Sequence, residues 1–393
     1  MTILSAVLHD LSLHLSMSYT ELSIANSMVS IGAIFGSVMG SLLTKRMSQH
    51  LDLVHCIVHL MTTVALLAIP FSGNVILQSV EWCMQGLAMG IGYIGLLAVN
   101  YMVVMHLWPE NVGPAVLFAA TANSIGHTVG SLLPMPFVSQ ENAGDSSPFV
   151  YVPFLILAGM FSANGVNLLV QYVVGLRCHR CYEVAMSSSN KEPSEPEQVN
   201  KLQWLIVPGM GIVDFFVRVS DSLPAYLLPS IGIESRLHMP ANRSDLVIVI
   251  YNVNRTTSKL LASFLLKKRL PAQSCLQICL AMTSILALII FLVGLNSVTS
   301  FSAIVIAMGL FTGPSATLLM VWVNEYVKVD SYALSVWQVA ENVGILSSVL
   351  VGGIVFDFYG SLPALLVNLV DGVIACTTFS ILQCLMAMSV RIA

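Results

Sequence analysis

Eleven apolar runs, each about as long as a bilayer is thick, constrain this chain more than any other feature. They are Leu22–Leu43, Leu53–Ile69, Ile76–Leu107, Val112–Pro134, Phe149–Val174, Leu202–Leu228, Leu246–Leu266, Cys275–Leu295, Phe301–Val323, Ala333–Phe356 and Pro363–Met388. A helix needs about 20 mainly apolar residues to cross a hydrocarbon core roughly 30 Å thick. Composition decides between such helices and a large soluble core. Charged side chains make up 9% of the chain, against about 25% in a soluble globular protein. A water-facing surface cannot be built from so few. The bilayer is the solvent, and in it a chain of this pattern must be helical to satisfy its backbone. The run Ile76–Leu107 exceeds one upright crossing, which predicts a tilted or extended helix. The net charge of −4 is too small to draw a nucleic acid partner.

The opening residues, MTILSAVLHDLSLHL, are apolar but too short to cross, and they carry His9 and Asp10. No basic stretch precedes them, so a cleaved signal peptide fits poorly. They read as the end of a truncated first span, which makes twelve in all.

Between the fifth and sixth of the long runs lies Arg177–Lys201, RCHRCYEVAMSSSNKEPSEPEQVNK. It holds eight charged residues, three consecutive serines and two prolines. A segment this polar buries too little to order itself. It divides the chain into a helical bundle over 1–176, a cytoplasmic linker over 177–201 and a second bundle over 202–393. With the linker in the cytoplasm, eleven lysines and arginines, Lys45 and Arg46 among them, face inward and only Arg236 and Arg243 face outward. That is a strong positive-inside bias. It puts the sequon Asn242-Arg243-Ser244 in an outer loop open to glycosylation, and Asn254-Arg255-Thr256 inside a helix. Cys178 and Cys181 form an isolated CxxC, with no second pair to complete a metal site.

The two halves repeat. At an offset of 223 residues, Leu42-Leu43-Thr44-Lys45-Arg46 falls on Leu265-Leu266-Lys267-Lys268-Arg269; Gly86, Leu87 and Gly90 fall on Gly309, Leu310 and Gly313; Ser124 falls on Ser347 and Gly130 on Gly353. Parallel repeats of six spans mark a two-bundle transporter with its site between the bundles at mid-membrane. The fold class expected is therefore an all-α membrane protein of two six-helix bundles, related by a pseudo-two-fold axis.

At these residues the chain resembles the major facilitator superfamily. Gly36 through Arg46 is similar to that superfamily's loop signature, in which small residues such as Gly36 and Gly40 allow close helix packing and a basic pair, here Lys45 and Arg46, anchors the cytoplasmic end. A closer resemblance is to its sodium-dependent glucose transporter-like branch. Asn100–Trp108 with Gly113-Pro114 and Leu132–Phe137 carries it in one region, Gly309–Pro314 with Glu325-Tyr326 in a second, and Gly344–Gly360 in a third. The resemblance implies alternating-access transport of a sugar such as glucose, with a sodium or proton gradient, or none, as the energy source.

Ionisable groups inside spans are costly and point to function. Asp214, Arg218 and Asp221 lie at i, i+4 and i+7 on one face of the seventh span, so Arg218 is placed to bond both carboxylates. Arg255 and Lys259 are spaced i, i+4 in the eighth, with Arg255 at the depth of Asp214. Asn123 and His127 share a face of the fifth span and suit a hydroxylated substrate. Glu341 in the eleventh span and Asp371 in the twelfth are candidate coupling carboxylates. The substrate-binding set is thus Asn123, His127, Arg218, Arg255 and Glu341; the coupling or gating set is Asp214, Asp221, Lys259 and Asp371. Three intramembrane cations also suit a carboxylate, which makes a proton-coupled organic-anion transporter the alternative. A transport-dead receptor or scaffold is the other. No catalytic triad, phosphate loop or metal-ligand pair appears, so no enzyme and no cofactor are expected. The plasma membrane is the expected location and a monomer the expected state.

Overall fold

The computed structural model describes residues 2–46, 50–93, 108, 111–137, 148–177, 203–267, 270–327 and 331–392. Among these are twelve α-helices: α1 (Thr2–Leu15), α2 (Tyr19–Arg46), α3 (Leu51–Ala68), α4 (Val75–Tyr93), α5 (Val112–Leu132), α6 (Val152–Arg177), α7 (Gln203–Glu234), α8 (Ala241–Lys267), α9 (Ala272–Val293), α10 (Val298–Asn324), α11 (Ser331–Tyr359) and α12 (Ser361–Ile392). Among the described residues each apolar run is answered by one helix, in the run Ile76–Leu107 by α4 as far as Tyr93, and the short opening stretch forms the 14-residue α1. The linker beyond Arg177 and the second half of the run Ile76–Leu107 lie outside the described residues.

The packing repeats as the sequence does. α2 packs on α4 as α8 packs on α10, and α3 on α6 as α9 on α12. Two bundles of six result. They meet through α2 against α11 and through α5 against α8, two contacts related by the same six-helix step. α1 packs on α5 as α7 packs on α11, so the short α1 stands where the symmetry puts a counterpart of α7.

Glycine permits the closest of these crossings. A Cβ on Gly86 would overlap the carbonyl of Val29, and one on Gly90 that of Ala33. At the equivalent place in the second half, a Cβ on Gly309 would run into the carbonyl of Tyr251, and one on Gly313 would come 2.6 Å from that of Arg255. Gly36 and Gly40 return the contact from α2, where a Cβ on Gly40 would come within 2.9 Å of the Ile91 carbonyl. Without a hydrophobic drive between helices in lipid, such close backbone contact holds them together. Lys45 and Arg46 close the C-terminus of α2.

Among the described residues eight helices are long and apolar enough to cross a membrane; α7, with Asp214, Arg218 and Asp221, and α8, with Arg255 and Lys259, are not among them. Phe35, Phe118, Phe264 and Leu292 are each more than 60% exposed, a surface that suits lipid and not water. The buried apolar side chains are distributed unevenly between the two ends. Call outer the end holding the Leu15–Tyr19 turn, which the basic-residue bias directs away from the cytoplasm. There one core joins both halves, with Leu8, Leu22, Trp82 and Phe154 from the first and Leu227, Tyr251, Phe301 and Phe356 from the second. At the inner end lie two cores: a small one of Val58, Ala88 and Ile91 in the first bundle, and a larger one around Trp322 and Phe379 in the second, which Val116 and Leu117 of α5 also join.

Candidate functional site

A cavity of about 210 Å³ lies between the bundles. α2 and α4 contribute Ala33 and Gly90, and α5 contributes Asn123 and His127. The opposite wall comes from α7 (Arg218, Asp221, Ser222), α8 (Arg255, Lys259) and α11 (Gln338, Glu341, Asn342). All five residues expected to bind substrate line it, together with Asp221 and Lys259. Two others do not. Asp214 lies behind Arg218, fully buried. Asp371 sits on α12, whose next residue, Gly372, packs toward Ser284 of α9, away from the cavity.

The ion pairs differ from those the spacing suggested. Arg218 does not hold both carboxylates of its own helix. Its Nε lies 3.6 Å from Asp214 Oδ1, and its Nη1 lies 3.1 Å from Oε1 of Glu341 on α11. Asp221 turns instead to Arg255 of α8, which donates to its Oδ2, although position along the sequence sets Arg255 at the depth of Asp214. Helix geometry accounts for the exchange. Long side chains lean toward the N-terminus of their own helix, and α7 and α8 run antiparallel. Arg218 therefore leans back to Asp214, whereas Arg255 leans toward the outer end, where Asp221 stands.

Both guanidinium groups are fixed further. The Arg255 carbon Cζ lies 5.6 Å from the centre of the Tyr251 ring, and Arg218 Cζ lies 5.7 Å from that of Trp337, within cation–π range. Arg255 also donates to Asn252 Oδ1 at 3.3 Å. The fully buried Tyr251 donates its hydroxyl to Asp221 Oδ1 at 3.3 Å and meets Thr312 at 3.1 Å. Pro224 cannot donate to the carbonyl of Ser220, which breaks the hydrogen-bond ladder of α7 beside this cluster.

Lys259 is placed differently from the arginines. Its Nζ donates to the hydroxyl of Ser124 on α5 at 2.6 Å, across the bundle boundary. Three further bonds follow the same α5–α8 boundary. Ser263 donates to the Pro114 carbonyl at 2.9 Å, Asn252 to Ser131 at 3.3 Å, and the hydroxyls of Thr128 and Thr256 meet at 3.2 Å. Sequence reasoning missed Ser124, Tyr251 and Trp337. Only Ser124 left a trace, through its repeat at Ser347.

No family model and no curated protein sequence matches the chain. Solved structures do. A nucleoside transporter, NupG, superposes with a TM-score of 0.65 at 13% identity, over 97% of this chain and 96% of that one. A D-xylose–proton symporter superposes with a TM-score of 0.68 at 13% identity, over 96% of this chain and 95% of that one. The fold is that of major facilitator transporters. The two-bundle architecture expected from the repeat is the one observed.

Proposed function

We propose that the chain is a secondary transporter that carries a small hydroxylated solute, of the sugar type, by alternating access in the plasma membrane. One observation carries the reading: a cavity that gathers polar and charged side chains from both bundles among apolar ones, beneath an outer end where the bundles share one core. A transporter must close one end while the other opens, and a site between two rigid halves serves both states. The cavity is smaller than the roughly 300–1,000 Å³ of sites for drug-sized ligands, which suits a small solute. Asn123, His127, Ser222, Gln338 and Asn342 offer uncharged hydrogen-bonding groups for hydroxyls. The neighbours' named substrates, nucleosides and D-xylose, are hydroxylated too.

The residues 1–176 and 202–393 act in this scheme as the two rocking bodies, with 177–201 as their tether. Arg218 is the candidate coupling element. It shares its charge between Asp214 and Glu341 on two helices, so a proton taken up by either carboxylate would release it to the other. Uptake by purified protein in liposomes, with sodium or proton gradients imposed separately, tests the reading. Accumulation driven by one of the gradients, or equilibration driven by neither, supports transport. Liposomes with protein that take up no solute faster than empty ones refute it.

A further inference from the structure

Resting on the transporter reading, we propose that the solute carries a carboxylate and that Lys259 docks it; the substrate class is a small polyhydroxylated monoacid of the sugar-acid type. Three cations line the cavity, and both arginines are in direct contact with carboxylates of the protein. Arg218 faces Asp214 and Glu341, and Arg255 faces Asp221. Lys259 is 9% exposed, yet among the described residues no carboxylate comes within ion-pair distance of it. Its one hydrogen-bond partner is the neutral Ser124 hydroxyl. An ammonium has three donors, so two remain for a ligand.

A buried charge that lacks a counterion is among the costliest groups a fold can hold. The same helices supply counterions for both neighbouring arginines, so the omission at Lys259 is local. The side chain lines the cavity, and the missing anion is therefore assigned to the cavity's occupant. The three carboxylates around the two arginines equal the three cations in number, so what sets Lys259 apart is geometry: each arginine touches a carboxylate and, among the described residues, Lys259 touches none. Asn123 and His127 flank Ser124 on α5, while Ser222, Gln338 and Asn342 stand on the other side. A solute with its carboxylate at Lys259 would present hydroxyls to both sets.

The test is ligand binding to the purified full-length protein, followed by thermal shift and by the fluorescence of Trp337 beside Arg218. The probes are gluconate, glucuronate, glucose and glucose 6-phosphate. Gluconate or glucuronate should bind at least tenfold more tightly than glucose. Lys259→Gln should weaken the acids roughly 10- to 100-fold, the range of one charge-assisted hydrogen bond, and by that factor more than it weakens glucose. Lys259→Arg should keep part of the preference. Ser124→Ala removes only the neutral partner and should retain the preference in full, which keeps the test open if Lys259→Gln fails to fold. The proposal is overturned if glucose binds as tightly as the acids, if glucose 6-phosphate binds best, if neither acid binds at millimolar concentration, or if Ser124→Ala abolishes the preference. Selective acid binding without uptake into liposomes would instead refute the transporter reading and leave the site standing.

Discussion

Removal of Arg218 should separate what this cluster does for stability from what it does for transport. Arg218 lies 3.1 Å from Glu341 and 3.6 Å from Asp214, and its own side chain is 17% exposed. At an effective dielectric constant near 20, each contact is an attraction of about 5 kcal/mol before desolvation. Desolvation takes back much of it, and breaking a buried pair by removing one partner typically costs about 3–5 kcal/mol net. Two contacts do not double the figure. Glu341 borders the cavity and regains hydration there, and either carboxyl can take up a proton. Arg218→Ala should therefore destabilise by about 3–5 kcal/mol. Asp214→Asn leaves Arg218 facing Glu341 and should cost about 1–2 kcal/mol. Arg218→Gln with Asp214→Asn leaves only Glu341, which water can reach, and should be more stable than Arg218→Ala while remaining unable to transport. Arg218→Lys keeps the charge without the planar fork that reaches two carboxylates; it should reach the membrane and lose most uptake. Thermal stability of detergent-solubilised variants by size-exclusion profile gives the first readout, and liposome uptake the second. If Arg218→Ala is as stable as the parent, the cluster holds nothing together. If the double variant transports normally, it is a packing device with no part in coupling.

The glycine crossings predict a graded response: Gly86→Ala and Gly309→Ala must push whole helices apart and should each lose at least about 1–3 kcal/mol, whereas Gly126→Ala meets nothing within 4 Å and should be neutral or slightly stabilising, all three read in the same thermal assay. Asn242 should carry a glycan and Asn254 none, so that glycosidase changes gel mobility until Asn242→Gln is introduced. Asn254 donates to the Ile306 carbonyl at 2.9 Å within the bundle, and a glycan there would overturn the α8–α10 packing.

The helices and the two-fold repeat were legible because apolar length and glycine spacing are written directly in the chain. Ends were harder. The sequon at Asn242 was expected in a loop between Leu228 and Leu246, but α7 runs to Glu234 and α8 starts at Ala241. A drop in hydropathy marks where lipid ends and not where the helix does. Asn242 thus lies in the first turn of α8, and Ser244 donates to the Pro229 carbonyl at 2.8 Å. Within the site, spacing identified which groups share a helix face but not which groups meet. The nearer partner of Arg218 comes from α11, and one helix's spacing carries no information about the next. Asp371 showed the same limit from the other side. Its place in an apolar run looked like that of Glu341, and only the packing of α12 on α9 takes it away from the cavity.

The same packing makes the two bundle contacts unequal, and this difference leads to a test of the outer end. The α5–α8 contact is bonded along its length, from Ser263 and Pro114 to Asn252 and Ser131. Among the described residues, the side-chain bond between α2 and α11 is confined to the outer end. There Thr20 donates its backbone N–H to Asp357 Oδ2 at 3.1 Å and its hydroxyl to the same oxygen, and Tyr19 meets Phe356 edge to face at 5.8 Å. Asp357 is held in reach because Gly360 ends α11 in a left-handed turn, with φ of +84°, and donates to the Phe356 carbonyl at 2.9 Å. Ser18 and Glu21 already cap α2 reciprocally from within. Asp357 therefore adds an acceptor from the opposite bundle at a helix N-terminus, where negative charge is favoured. An outward-facing state must break this contact. Asp357→Ala should weaken the closed state by about 1.4 kcal/mol, a tenfold rise in the outward-open to closed ratio. Spin labels on Leu13→Cys and Phe358→Cys, one on each half and both exposed, would report it as a larger long-distance population in a cysteine-free background. Glu21→Ala is the control, because it loosens the cap of α2 without touching the other half. A distance distribution unmoved by Asp357→Ala, or moved equally by Glu21→Ala, would show that the apolar core alone keeps the outer end shut.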